Sequence, residues 1–277
     1  MPYKNNQNST YSNKKRIREK VIMIFAFAYK KRIKIALLLI IVSLAVVITL
    51  NSCGLSAVFY GSNLRKLPIY SVKTDEKKIA ISFDCAWGVD YTDKLLAVMK
   101  THDIKCTFFA VEFWTEKHPD YIKKISDLGH EIGTHSATHP YMSKLSKTAI
   151  INELTSSSKA IEDITGKKVE VFRPPYGDYN DLLIETATEL GLYVIQWDVD
   201  SLDWKDLSAS QITSRVVSRV KNGSIVLFHN QGLHTHEALE DIVISLKEKG
   251  YTFVPIGDLI YRTDYKMLPD GTQTQSI

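Results

Sequence analysis

From Lys77 onward, short runs rich in apolar and β-branched residues alternate with longer stretches whose apolar positions recur every three to four residues. This alternation constrains the chain more than any other feature. A strand, a helix and a further strand bury their apolar faces together only as a layered β/α unit on a parallel sheet. Strands are predicted at Ile79–Phe83, Cys106–Phe109, Val169–Phe172, Tyr193–Gln196, Ser224–Phe228 and Thr252–Pro255. Helices are predicted at Thr92–His102, Pro119–Leu128, Lys147–Thr165, Asp181–Leu190, Ala209–Lys221 and Glu237–Lys249. Gly129, Gly166, Gly191, Gly223 and Gly250 each follow a predicted helix, where a left-handed cap ends it. Roughly 190 residues of such units suit one β/α barrel or one open parallel sheet.

The 277 residues include 44% hydrophobic and 24% charged ones, which excludes a disordered, collagen-like or disulfide-scaffold chain. The net charge of +4 conceals a split, because residues 1–34 hold ten Lys/Arg against Glu19 alone and leave 25 basic against 30 acidic residues elsewhere. A uniformly basic nucleic-acid binder is therefore excluded, and no nucleic-acid partner is expected. The basic block adjoins the apolar run Ile35 to Leu50, broken only by Ser43 and Thr49. A helix over 35–55 would extend about 30 Å, enough for a bilayer core. Lys30, Lys31, Arg32 and Lys34 would keep the N-terminus cytoplasmic and send the rest of the chain outside. The expected organisation is a basic tail at 1–34, a single-pass anchor at 35–55, a linker at 56–76, a domain at 77–261 and a tail at 262–277. Cleavage as a signal peptide, or lipidation at Cys53 after Leu50-Asn51-Ser52, are the alternatives to an intact anchor. Cys53, Cys85 and Cys106 are odd in number and lack CxxC spacing, so neither a disulfide framework nor a structural zinc site is indicated.

Residues able to do chemistry gather where predicted strands end, the usual place for a β/α active site. Ser82-Phe83-Asp84-Cys85-Ala86-Trp87-Gly88 carries a strand into an acid, a thiol and an indole; such an acid either works in a site or caps the next helix. His135 and His139 are four apart, a spacing that on one helical turn aims both imidazoles the same way, as a metal pair requires. Ser136 stands where a zincin needs Glu, which disfavours that class, and HxxxH alone is a common coincidence. His130 and Glu131 read as packing and hydrogen-bonding groups. Arg173 sits at a strand end before a loop stiffened by Pro174 and Pro175. Asp198, Asp200 and Asp203 lie between Trp197 and Trp204, and His229 closes a strand as either a structural or a catalytic histidine.

In this order, SFDCAWG, HSATH, RPPYGDYN, DSLDW and LFH resemble the motifs of the polysaccharide deacetylase family, the NodB-like carbohydrate esterases, over about Lys77 to Tyr261. Within it the pattern is similar to the PdaB-like sporulation deacetylases, in which one membrane segment precedes one domain. The resemblance implies an α/β fold, an incomplete seven- or eight-stranded β/α barrel, that removes acetyl groups from amino sugars of a cell-wall glycan, peptidoglycan before chitin. It implies a divalent metal, most often zinc and sometimes cobalt, bound by His135 and His139. It implies Asp84 as general base, Arg173 as its orienting partner, and the backbone N–H of Tyr176 as an oxyanion donor. His229 would be the acid for the departing amine and Asp203 its holder, with Trp204 and Leu227 walling the acetyl pocket. Amide hydrolysis needs a nucleophile, an oxyanion clamp and a proton donor, and these residue types supply all three. One position departs: Cys85 stands in place of the second Asp of the family's FDDG motif, the third ligand. Either its thiolate binds zinc, or Cys85 packs and the two histidines hold the ion with water or with Asp84. A glycan-binding member that has lost turnover is the alternative function, and an amidase or imidase on a small cyclic amide is a third.

Overall fold

The computed structural model describes residues 30–48 and 65–276, with positions 20 and 23, and the chain divides into two units, Met1–Leu64 and Arg65–Ile277. In the first unit, residues 30–48 are helical. Among the described residues no helix is long and apolar enough to cross a membrane. Residues 49–55 of the expected anchor lie outside the described residues, as do Cys53 and most of the basic tail.

The second unit is built on an eight-stranded sheet. Its strands are β2 (Lys78–Cys85), β3 (Thr107–Ala110), β4 (Glu131–Thr134), β5 (Val171–Phe172), β6 (Tyr193–Val194), β7 (Val199–Asp200), β8 (Ile225–His229) and β9 (Thr252–Phe253). They follow the order β6-β5-β4-β3-β2-β8-β7, with β9 against the start of β2. Every pairing is parallel. The end strands β6 and β7 are not neighbours in this order, so the sheet does not close into a complete barrel. Strand alternation sorts the side chains. Ile79, Ile81, Phe83 and Cys85 join Phe108, Val226 and Phe228 in the larger core, shared with buried helix residues such as Leu95, Leu154 and Ile242. Ala80, Phe109, Val171 and Ile225 form a second core. Ser82 and Asp84 share the strand face of Ala80.

Helix ends follow the local chemistry of the sequence. The Ser146 side chain accepts from Ala149 N to open Lys147–Thr165, and Gly166, at φ 67°, closes it with a bond to the Glu162 carbonyl. Gly223 is required by contact, since a Cβ there would lie 1.7 Å from the Val72 carbonyl oxygen.

Structure also occurs where the sequence predicted none. Helix Glu112–Lys117 and the strands β4 and β7 fall in stretches without a clear apolar period. The expected boundaries at 77 and 261 lie inside the unit. Residues expected to be linker supply β1 (Ser71–Val72), and those expected to be tail supply β10 (Tyr265–Met267) and β11 (Thr272–Gln275), which form a separate sheet in the order β1-β11-β10. Gln273, fully buried, secures it by accepting from Tyr261 N and donating to the Tyr261 carbonyl.

Candidate functional site

At the C-terminal end of β2, Asp84 is 7% exposed, and its Oδ1 accepts a 2.8 Å hydrogen bond from Arg173 Nη1. Arg173 follows β5 directly and is fully buried. Its Nη2 donates to Ser82 Oγ at 2.8 Å and to the Gln196 carbonyl at 3.2 Å, and its guanidinium lies 4.2 Å from the Phe109 ring centroid. Burial alone would raise the Asp84 pKa. The charges of Arg173, His135 and His229, with the Arg173 hydrogen bond, outweigh it and leave the carboxyl below its ordinary value.

His135 comes directly after β4, and its ring Nδ1–H donates to the Arg173 carbonyl at 2.7 Å. That bond leaves Nε2 as the unprotonated nitrogen, 3.6 Å from Asp84 Oδ2. Burial pushes the His135 pKa down to about 4, so the ring is neutral near pH 7. His139 faces it with ring centroids 4.9 Å apart. The two are brought together by a turn and not by the helical turn their spacing predicted, because Ser136 and His139 both have left-handed φ, 72° and 59°. Glu153 ties down that turn by accepting from Ala137 N, Thr138 N and Thr138 Oγ1, and Ser136 Oγ accepts from His139 N.

His229 ends β8, in register with Asp84 on β2. Its Nδ1–H donates to Asp203 Oδ1 at 2.8 Å, while Asp203 Oδ2 accepts from His229 N and Thr235 Oγ1. Burial would lower the His229 pKa, but the Asp203 bond and charge, helped by Asp84 and Asp200, leave it raised. Asp203 itself is fully buried.

These groups open on a cleft of about 730 Å³ lined by Asp84, His135, His139 and His229. Tyr176, Trp204 and Leu227 line it too, as do several residues that sequence reasoning did not assign to the site: Trp87, Asp200, Asp206, Gln231 and Leu233. Ser82, Gln196 and Thr235, which fix Arg173 and Asp203 from behind, were also missed. For Ser82 the signal was present, two residues before Asp84 on the same strand face.

Cys85 is the site residue that the structure sets apart. Being next to Asp84 on a strand, it projects to the opposite face, fully buried in the larger core, and its thiol lies 3.9 Å from the Phe83 carbonyl. Burial, with the charge of Asp84, pushes that thiol well above its ordinary pKa. That position in the core favours the packing alternative for Cys85. What remains is two imidazoles and the already engaged Asp84, and among the described residues no group of three His, Cys, Asp or Glu is placed to hold a metal ion. The donor set does not complete the three-ligand site that the resemblance implied.

Residues 71–195 match the family model described as polysaccharide deacetylase. The chain is 36% identical over 204 residues to the peptidoglycan-N-acetylglucosamine deacetylase PgdA of Listeria monocytogenes, covering 71% of this chain and 43% of that one. It is 33% identical over 202 residues to the peptidoglycan-N-acetylmuramic acid deacetylase PdaA of Bacillus subtilis, covering 72% and 77%. The chain thus spans less than half the length of the Listeria relative, and it spans 63% of a further Bacillus subtilis relative. Among solved structures it is similar to wild-type BA3943 of Bacillus anthracis, described as a CE4 family pseudoenzyme, with 32% identity, a TM-score of 0.68 and coverage of 77% and 74%. A mutant of that protein, with 34% identity, a TM-score of 0.68 and coverage of 76% and 73%, is described as having restored enzymatic activity.

Proposed function

Because the chain belongs to the polysaccharide deacetylase family, we propose that its cleft hydrolyses the acetamide of N-acetylated amino sugars in a cell-wall glycan, peptidoglycan before chitin. The observation that carries this reading is the pairing of Asp84 with His229 across adjacent strands, one carboxyl kept ionised by Arg173 and one imidazole kept basic by Asp203. An amide is hydrolysed when water attacks its carbonyl carbon and the nitrogen leaves protonated. Asp84 takes the proton from the attacking water, and His229 gives one to the nitrogen as the C–N bond breaks, so that acetate and a free amine result. The Tyr176 N–H meets the oxygen that becomes negative. Trp204 and Leu227 enclose the acetyl methyl.

The domain works outside the cell, held to the membrane through residues 35–55, a reading supported by the basic cluster before an apolar run with no polar face. A role in sporulation rests on the PdaB-like motif pattern.

A second reading, a glycan-binding member with little turnover, is favoured by the Cys85 thiol in the core and by the similarity to a pseudoenzyme. Incubating the full chain with peptidoglycan and with N-acetylglucosamine oligomers, with zinc, with cobalt and with neither, separates the two. Acetate release under any of these conditions supports hydrolysis; glycan binding without acetate under all of them supports the second reading.

A further inference from the structure

Tyr176, whose N–H meets the negative oxygen in the proposed reaction, holds a left-handed φ of 59°. A tyrosine keeps that conformation where its surroundings impose it. Two arms hold the loop 173–180 that carries it. One is the turn Met142–Lys144. Ser143 N and Oγ each donate to an Asp178 carboxylate oxygen at 2.8 Å, and the Ser143 carbonyl accepts from Asn180 Nδ2 at 2.8 Å. The other arm is the segment 65–70, in the stretch expected to be linker. Arg65 lies 4.4 Å from the centroid of the Tyr179 ring, its Nη2 donates to the Tyr179 carbonyl at 3.1 Å, and the Tyr70 hydroxyl donates to that of Tyr179 at 3.2 Å. Lys66 N donates to Asp181 Oδ1, and its ammonium pairs with Glu185 at 2.7 Å, both on the helix Asp181–Glu189 that the loop leads into.

This second arm is itself fixed. Ile69, 4% exposed, pairs with Ile195, and Ser71 pairs with Ser224. Tyr70 N donates to the Gly271 carbonyl, and a Cβ on Gly271 would fall 2.2 Å from the Tyr70 ring, so the ring fills the space that glycine leaves. The Ile69 carbonyl accepts from Gln196 N at 2.7 Å. Gln196, also buried, reaches the loop twice: its Nε2 donates to the Gly177 carbonyl at 3.1 Å, and its carbonyl accepts from Arg173 Nη2. The arm therefore bears on the loop on both sides of Tyr176, directly at Tyr179 and through Gln196 at Arg173 and Gly177.

Resting on the function proposed above, we propose that the segment 65–70 is a positioning element for the reaction, holding the loop so that the Tyr176 N–H is aimed at the developing oxyanion. None of its six residues lines the cleft, so it acts through the loop alone. A donor that serves the transition state lowers turnover when it is displaced and leaves substrate binding as it was.

Acetate release from the N-acetylglucosamine hexamer by the full chain, with kcat and KM separated, and hydrogen exchange across residues 173–180 test this. The double variant Arg65→Ala with Tyr70→Phe is expected to lower kcat by about tenfold with KM within about twofold of the wild type. Exchange should quicken in 173–180 and stay as it was in β2 and β8. Arg65→Lys alone keeps a cation over the Tyr179 ring and is expected to retain most of the wild-type kcat. Wild-type kcat in the double variant, a loss that appears in KM, or exchange that quickens throughout the domain overturns the positioning role and leaves the proposed function standing. Absence of acetate from the wild type with zinc, with cobalt and with neither overturns both.

Discussion

Asp84 and His229 are paired in register on the adjacent parallel strands β2 and β8, and each is tuned from behind by a buried partner of opposite charge: Arg173 for the carboxylate, Asp203 for the imidazole. The two buried partners push the pair in a useful direction, keeping the acid ionised and the base protonatable. Neither would hold its state alone, because burial favours the neutral form of both groups.

Removing Arg173 leaves the Asp84 charge uncompensated. Arg173→Met is expected to cost about 3–5 kcal/mol of folding stability, read from urea unfolding. The pH dependence follows from the lowered Asp84 pKa: its contribution is complete above the unfolded value of about 3.9 and is lost as pH falls through the folded value. Asp84→Asn should flatten that acid limb, and an unchanged limb would show that other carboxylates carry it.

For His229 the sign is reversed. With its folded pKa raised, its contribution to stability is complete below the unfolded value of about 6.5 and is lost as pH rises through the folded one. Asp203→Asn keeps a hydrogen-bond acceptor but removes the charge, so NMR titration of the His229 ring should give a lower pKa than in the wild type. No downward movement would mean that Asp203 does not raise it.

Cys85 gives a prediction of the opposite kind. With its thiol in the core, Cys85→Ala is expected to cost about 1 kcal/mol and to leave glycan affinity and zinc retention unchanged. Cys85→Asp should lower the Tm in metal-free buffer, and added zinc should recover part of the loss if the new carboxylate turns into the cleft. Loss of zinc retention in Cys85→Ala would instead place sulfur on the metal.

Much of this was legible in the sequence, and the exceptions have physical causes. Long helices such as Lys147–Thr165 carry their period in their own residues and their caps in the residues flanking them, and the strands that hold Asp84 and His229 announce themselves by apolar runs. The placement of Cys85 was also readable, since strand alternation sets it on the face opposite Asp84. The turn at His135 and His139 was not, because left-handed φ at Ser136 and His139 has no marker in those residue types and depends on Glu153 from another element. The strand Thr272–Gln275 was equally silent. Its TQTQ sequence has no apolar face, and its partner Ser71 lies 201 residues away.

Glu153 should prove important well away from the reacting groups. Glu153→Ala removes three hydrogen bonds that shape the Ser136–His139 turn, and hydrolysis is expected to fall by about tenfold or more as this wall of the cleft beside Asp84 shifts. Helix content should be unchanged by circular dichroism, and full activity in this variant would show that the turn holds itself.

The central claim is that Asp84 and His229 act together on an acetamide. Acetate released from purified peptidoglycan by the full chain, compared with Asp84→Asn and His229→Ala at equal folded concentration, measures it most directly. The account predicts release by the wild type and a loss of about a hundredfold or more in each variant. Release that is the same in all three proteins, or absent in the wild type while glycan binding persists, would contradict it.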